Sequence, residues 1–217
     1  ISTNTDLYQY NIETGVTNNL TEANKGYDLS PQFNQNGVLA WMQMKRDGFE
    51  ADKQDLIVMV KGQLPLNLTA HRDDIHVEGF KWSEDGRSIY FWAPINGTLQ
   101  LFQVNNPGLT KMLPVIKQLT SGDFDITGIV SQLGNRLVVS RTDMNTATEL
   151  YTLNLQNNQM EQLTHVNDSF YSSIAKCKTE RRWVPTTDGK KMLVWVILPP
   201  NFDKTKKLIK EQFYTNV

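Results

Sequence analysis

An all-β chain of repeated four-stranded sheets is predicted by three observations. The first is a recurring Leu-Thr pair, at Leu20-Thr21, Leu68-Thr69, Leu119-Thr120 and Leu163-Thr164, stepping by 48, 51 and 44 residues. The second is an apolar strand start followed by a polar turn ending in glycine. Its copies are Phe33-Asn34-Gln35-Asn36-Gly37, Trp82-Ser83-Glu84-Asp85-Gly86 and a degenerate Val130-Ser131-Gln132-Leu133-Gly134, with glycines 49 and 48 residues apart. The third is a shared register: Leu7-Tyr8-Gln9-Tyr10-Asn11-Ile12 matches Leu150-Tyr151-Thr152-Leu153-Asn154-Leu155 at a shift of 143 residues. Each of these runs leads, five residues after Gly15 or Asn158, to a Leu-Thr pair.

Four strands of about five residues with their turns need roughly 40–50 residues, which is the observed step. A four-stranded sheet cannot bury both faces alone, so such sheets stack radially as a β-propeller. Residues 1–21 supply the end of one blade. Residues 29–69, 79–120 and 126–164 supply three more, each with a β-type run after its glycine at 38–44, 87–92 or 136–140. Alternation at period two sets one row of side chains against the neighbouring sheet. Tyr8, Tyr10 and Ile12 form such a row, and Tyr151, Leu153 and Leu155 its copy. The expected fold is a partial β-propeller of about three and a half four-stranded blades over 1–175. Closed propellers hold about four to eight blades, so the open sheet edges call for further blades or a second chain. No long segment carries apolar residues at helical spacing; a solenoid would need shorter repeats, and a sandwich none.

After Thr164 the pattern changes. Ser172-Ser173-Ile174-Ala175 reads as the start of a blade that does not finish. Then 180–185 and 192–198 flank Thr187-Asp188-Gly189-Lys190, and Asp-Gly between two β runs signals a hairpin. Pro199-Pro200 ends it. The hairpin belongs to no blade, so a domain boundary is placed near 175–180, with 176–217 as a second unit. A short helix is expected at 208–217. Lys204, Lys206, Lys207 and Lys210 are read as a solvated tail.

A net charge of −1 without a basic stripe removes the electrostatic case for nucleic acid. No stretch approaches the apolar length of a membrane span. The single cysteine, Cys177, makes neither an internal disulfide nor a Cys-based metal site. No signal peptide is visible, and the chain opens at Ile1 inside a strand-like pattern, as if cut from something longer.

The run Arg182-Trp183-Val184-Pro185-Thr186-Thr187-Asp188-Gly189-Lys190-Lys191-Met192-Leu193-Val194-Trp195-Val196-Ile197-Leu198-Pro199-Pro200-Asn201-Phe202-Asp203 resembles the junction of prolyl-oligopeptidase-family serine peptidases, where a propeller leads into an α/β-hydrolase domain. The segment Lys45-Arg46-Asp47-Gly48-Phe49-Glu50-Ala51-Asp52-Lys53 is similar to a blade loop of the bacterial dipeptidyl- and acylaminoacyl-peptidase branches. The blade marks alone are shared with TolB-like propellers. The resemblance implies that 176–217 begins a hydrolase domain truncated before its catalytic residues. It also implies short peptides as substrates, no cofactor, and a periplasmic or secreted setting, with a cytoplasmic one left open. The propeller would then restrict access to the hydrolase cleft and contact the substrate.

No Gly-x-Ser-x-Gly nucleophile elbow occurs, and His71, His76 and His165 lie in or beside blades. No catalytic residue is therefore assigned, and the chain alone is expected to be inactive. For substrate binding the candidates are Arg46, Glu50 and Asp52. In dipeptidyl peptidases propeller carboxylates hold the substrate's α-ammonium, opposite charge beside a desolvated pocket. Here the match is to the loop, not to the double-glutamate signature of that activity, and Arg46 either meets a substrate carbonyl or pairs with Asp47, Glu50 or Asp52. His71-Arg72-Asp73-Asp74-Ile75-His76 carries ligand-type residues, but the five-residue spacing of its histidines does not converge on a strand or helix, so no metal is assigned. The sequons at Asn19, Asn67, Asn96 and Asn167 demand no secretory route, and two are the repeat's own Leu-Thr mark. The alternative function is a TolB-like binding module, in which 181–198 would pack as a fifth blade.

Overall fold

The computed structural model describes residues 4–105, 107, 114–203 and 205. The lysine tail beyond 203 and the helix expected at 208–217 lie outside the described residues. The strands fall into the expected groups. β1 (Tyr8–Tyr10) and β2 (Thr17–Asn19) pair as a two-stranded piece. β3 (Asp28–Phe33), β4 (Leu39–Gln43), β5 (Asp55–Met59) and β6 (Leu66–Asn67) form a four-stranded antiparallel meander. β7 (Gly79–Trp82), β8 (Ser88–Ile95), β9 (Thr98–Asn105) and β10 (Ile116–Gln118) form the next. β11 (Asp125–Leu133), β12 (Arg136–Asp143), β13 (Thr146–Asn154) and β14 (Met160–Gln162) form the last. α1 (Asp168–Ser172) follows, and β15 (Lys178–Pro185) and β16 (Lys191–Leu198) make a separate two-stranded ribbon.

Period-two alternation decides how the sheets stack. Leu39, Trp41 and Ile57 face Leu7 of the first piece, while Ala40, Met42, Leu56 and Val58 point the other way, onto Phe80, Ile89 and Phe91. Tyr90 and Leu101 leave the opposite face of that third sheet and meet Ile126, Leu137, Val139 and Leu153 of the fourth. The stacked rings of Phe91 and Phe102, 5.3 Å between centroids, fill the layer between the second and third sheets.

The Leu-Thr repeat has a hydrogen-bonding cause. In every copy the threonine Oγ1 accepts the backbone N–H of a leucine within the third strand of its sheet or, in the first piece, just before β1: Leu7 to Thr21 at 2.9 Å, Leu56 to Thr69 at 3.1 Å, Leu101 to Thr120 at 2.9 Å and Leu150 to Thr164 at 2.9 Å. The hydroxyl of Thr69 then donates to Asp55 at 2.6 Å, and that of Thr164 donates to Glu149. Leu20, Leu68 and Leu119 beside their threonines pack between sheets, whereas Leu163 is exposed. Thr69→Val keeps the shape but strands the Leu56 N–H and leaves Asp55 Oδ1 to Lys53 alone, and is expected to lower stability by about 1–2 kcal/mol in urea unfolding. Thr69→Ser should retain most of it, and equal losses in both would remove the hydroxyl from the account.

Two expectations are corrected. Tyr8, Tyr10 and Ile12 do not pack on a neighbouring sheet; they are 63, 60 and 87% exposed, whereas Leu153 is fully buried in the same register. The row faces away from the second sheet, and Leu7 is the residue that meets it. Ser172-Ser173-Ile174-Ala175 does not begin a blade: Asp168–Ser172 is a single helical turn and the chain runs without strand to Lys178. β8 also extends to Ile95, beyond the expected end at 92, because Asn96-Gly97 closes a two-residue hairpin with φ of 50° and 76°. Positive φ at both positions is what Asn-Gly tolerates.

Candidate functional site

Successive antiparallel strands send their connections alternately to opposite ends of a sheet. The 44–54 loop, the Asn96-Gly97 turn and the Met144-Asn145 turn therefore emerge at one end, together with the connectors that lead into β3, β7 and β11. The ribbon touches this same end. Arg181 of β15 donates through Nη1 to the Asn96 carbonyl at 3.2 Å and pairs through Nη2 with Asp123, and its guanidinium lies over the Trp195 ring at 5.3 Å. Leu193 and Trp195 press so closely on Gly97 that a Cβ there would sit 2.4 Å from the Leu193 side chain. The ribbon is a separate two-stranded sheet that, among the described residues, is not hydrogen-bonded to any four-stranded sheet and is seated on these loops.

Arg46, Glu50 and Asp52 share the 44–54 loop but do different things. Asp52 turns inward, its side chain 9% exposed, and accepts the Lys45 N–H at 3.0 Å, the Arg46 N–H at 2.7 Å and Arg46 Nε at 2.9 Å. Burial pushes its carboxyl up, but the hydrogen bonds from Arg46, Lys45 and Lys53 together outweigh this and hold it down at about 2. Asp52 is the staple of the loop. Arg46 gives its Nε to that staple and lays its guanidinium on the Phe49 ring at 3.9 Å, with the side chain still 61% exposed. Glu50 is exposed and accepts the Tyr27 hydroxyl at 3.4 Å. Burial first and the Glu50 carboxylate second keep the Tyr27 hydroxyl protonated to higher pH than a free tyrosine.

Tyr27 is the residue that sequence reasoning missed. It lies in the connector before β3, which is drawn against the loop by Gly26, where a Cβ would fall 2.2 Å from the Met44 carbonyl oxygen. Asn24 donates to the same carbonyl at 3.0 Å. A glycine preceding an aromatic in an inter-sheet connector was the available signal.

The other candidates disperse. Arg72 holds Asp74 through two 2.7 Å bonds, and His76 Nδ1 accepts the Gln54 N–H at 3.1 Å. Among the described residues no group of three or more His, Cys, Asp or Glu gathers as metal ligands. Asn19 and Asn67 turn back to accept the N–H of their own threonines, each at 3.0 Å. Among the described residues no helix is long and apolar enough to cross a membrane.

No family model matches the chain. It is 38% identical over 208 residues to dipeptidyl-peptidase 5 of Porphyromonas endodontalis, covering 95% of this chain and 29% of that protein. The chain therefore spans under a third of the length of the curated relatives it matches. Among solved structures it is similar to the acylaminoacyl peptidase of Pyrococcus horikoshii, with a TM-score of 0.68 at 16% identity over 93% of this chain and 29% of that one. It is also similar to the β-propeller domain of the trilobed protease from Pyrococcus furiosus, with a TM-score of 0.55 at 16% identity over 75% of this chain and 46% of that one. Homologues named dipeptidyl-peptidase 5 thus cover nearly the whole chain, and its structural neighbours are prolyl-oligopeptidase-family peptidases and their propeller domains.

Proposed function

We propose that this chain, a propeller segment kindred to those of prolyl-oligopeptidase-family peptidases, recognises the amino end of short peptides for a hydrolase domain joined through the 176–217 unit. One observation carries the reading: the Glu50 loop and the Arg181 ribbon occupy the same end of the sheets. A substrate lying between propeller and hydrolase would meet Glu50 and Arg46 first, and the propeller would limit access to peptides short enough to pass. Glu50 offers an exposed carboxylate to an α-ammonium; Arg46, braced by Asp52 and Phe49, offers its outer nitrogens to a carbonyl. Asp52 supports the loop and does not touch substrate. With no nucleophile elbow, the chain performs no hydrolysis by itself.

An NMR titration with a dipeptide amide carrying a free α-ammonium should perturb the 44–54 loop. N-acetylating the dipeptide, or Glu50→Gln, should weaken binding about tenfold, the scale of one charge-assisted hydrogen bond. Acetylated and free dipeptides binding alike would take Glu50 out of recognition. Ala- and Pro-linked chromogenic dipeptides should not be turned over, and turnover resistant to serine-directed inhibitors would overturn the assignment of inactivity.

A further inference from the structure

We infer that His76 is a positioning residue for the 44–54 loop, and that the order of the loop, and with it the affinity of the Glu50 site, depends on the protonation of this one imidazole. The entry of the loop is fixed by the connector before β3. There the Met44 N–H donates to the Tyr27 carbonyl at 2.7 Å, and the Met44 carbonyl accepts from Asn24 at 3.0 Å. The exit is fixed by the connector before β7, where Gln54 makes three bonds. Its carbonyl accepts the Val77 N–H at 2.9 Å, its side chain donates to the Val77 carbonyl at 2.6 Å, and its own N–H donates to His76 Nδ1 at 3.1 Å. A backbone carbonyl in that last place would accept at every pH; an imidazole nitrogen accepts only while the ring is neutral.

The tautomer follows from the donor. A backbone N–H aimed at Nδ1 requires a lone pair there, which places the ring proton on Nε2. A second proton turns Nδ1 into a donor, and two N–H groups then face each other across the same gap. The two sides do not yield equally. Ile75 and Val77, on either side of His76, are 1 and 0% exposed and packed in the core between the second and third sheets. The connector is therefore held. The loop is the partner that gives way, since its residues 45–51 are all exposed. Gln54 is itself buried, so water does not readily replace the lost acceptor.

The charged groups around the ring leave that bond to His76. The Glu78 carboxylate stands 3.9 Å from Nε2, at the other nitrogen, and among the described residues it alone forms an ion pair with the ring. Lys53, next to Gln54, is tied to Asp55 at 2.7 Å and to the Thr69 carbonyl at 2.9 Å, and Arg72 pairs with Asp74. Asp52 lies two residues before Gln54, so a shift of the exit passes to the carboxylate that staples the loop and to the Arg46 it braces. A loop that keeps its ordered course only part of the time binds in proportion to that time. The ligand of this inference rests on the Glu50 reading; the pinning of Gln54 does not.

The test follows backbone amide shifts by NMR from about pH 7 to about pH 5, the range in which imidazoles become cations, and titrates the free dipeptide amide at both ends. The amides of Arg46, Glu50, Asp52 and Gln54 should move together with the His76 ring. The dipeptide should bind about fivefold more weakly at the acid end, the scale of one hydrogen bond. Its own α-ammonium only becomes more fully protonated over this range and pulls the other way. His76→Asn sets an amide oxygen where Nδ1 stood; it should bind within about twofold of wild type at neutral pH and lose the response to acid. His76→Ala should bind weakly at both ends, and His71→Asn, exposed in the same connector, should behave as wild type. Loop amides that stay still while Gln54 moves, or a His76→Asn chain that responds to acid as wild type does, would overturn the proposal. A chain that binds no dipeptide at either pH would defeat the Glu50 reading, and the amide shifts alone would then decide the role of His76.

Discussion

Leu68→Ala should lower the stability of this chain by about 2–5 kcal/mol, while Leu163→Ala should change it by less than about 0.5 kcal/mol. The two leucines occupy the same place in the repeat, so propensity and local hydrogen bonding are matched. What differs is the neighbour. Leu68 is fully buried, packed among Leu56 and Val58 of its own sheet and Phe80 and Phe91 of the next. Leu163 is 48% exposed. Truncating the first opens a cavity between two sheets that cannot collapse without breaking their registers; truncating the second removes methyl groups already in water. Leu119, 3% exposed between the third and fourth sheets, should follow Leu68. Urea midpoints at constant slope measure the difference. Equal losses at 68 and 163 would mean that stability resides within single sheets and that their stacking contributes little.

That contrast also shows what a sequence can and cannot disclose. The spacing of the Leu-Thr pairs placed every four-stranded sheet, because each pair marks a hydrogen bond from the third strand to the threonine that follows the fourth, and local bonds recur with local sequence. Burial does not recur in this way. Tyr10 and Leu153 share a register, yet one is mostly exposed and the other wholly buried, since only the latter faces another sheet. Asn96-Gly97 opens a sequon, but the same dipeptide between β runs is also a hairpin signal, and the strand it closes is longer for that reason. The candidate loop was legible as a cluster of charges around Phe49. Which charge turns inward was not, because Asp52 is drawn in by backbone N–H groups that any sequence would supply. Tyr27, some twenty residues away, reaches Glu50 only through the close approach at Gly26.

Asp52→Ala should therefore destabilise the chain by about 2–3 kcal/mol at neutral pH, while Glu50→Gln leaves stability unchanged. Removing Asp52 strands the N–H groups of Lys45 and Arg46 and frees the Arg46 side chain. The pH dependence has a definite sign. The folded carboxyl sits at about 2, below its ordinary 3.8, so the ionised form is the one that folding favours. Its stabilisation is present above about pH 4 and disappears as the pH falls through 2. Allowing for solvent screening at a surface loop, this part amounts to about 1–2 kcal/mol. The gap between wild type and Asp52→Ala, measured by urea unfolding, should then narrow between pH 4 and pH 2; a gap constant over that window would show that Asp52 is not held ionised by its donors. The same variant separates support from recognition. With the staple gone, Arg46 loses its brace and the 44–54 loop its fixed course, so binding of a free dipeptide should weaken together with stability. Glu50→Gln should weaken binding while the unfolding midpoint stays in place. Two acids of one loop, two residues apart and equivalent by composition, would then be told apart by which property each variant moves.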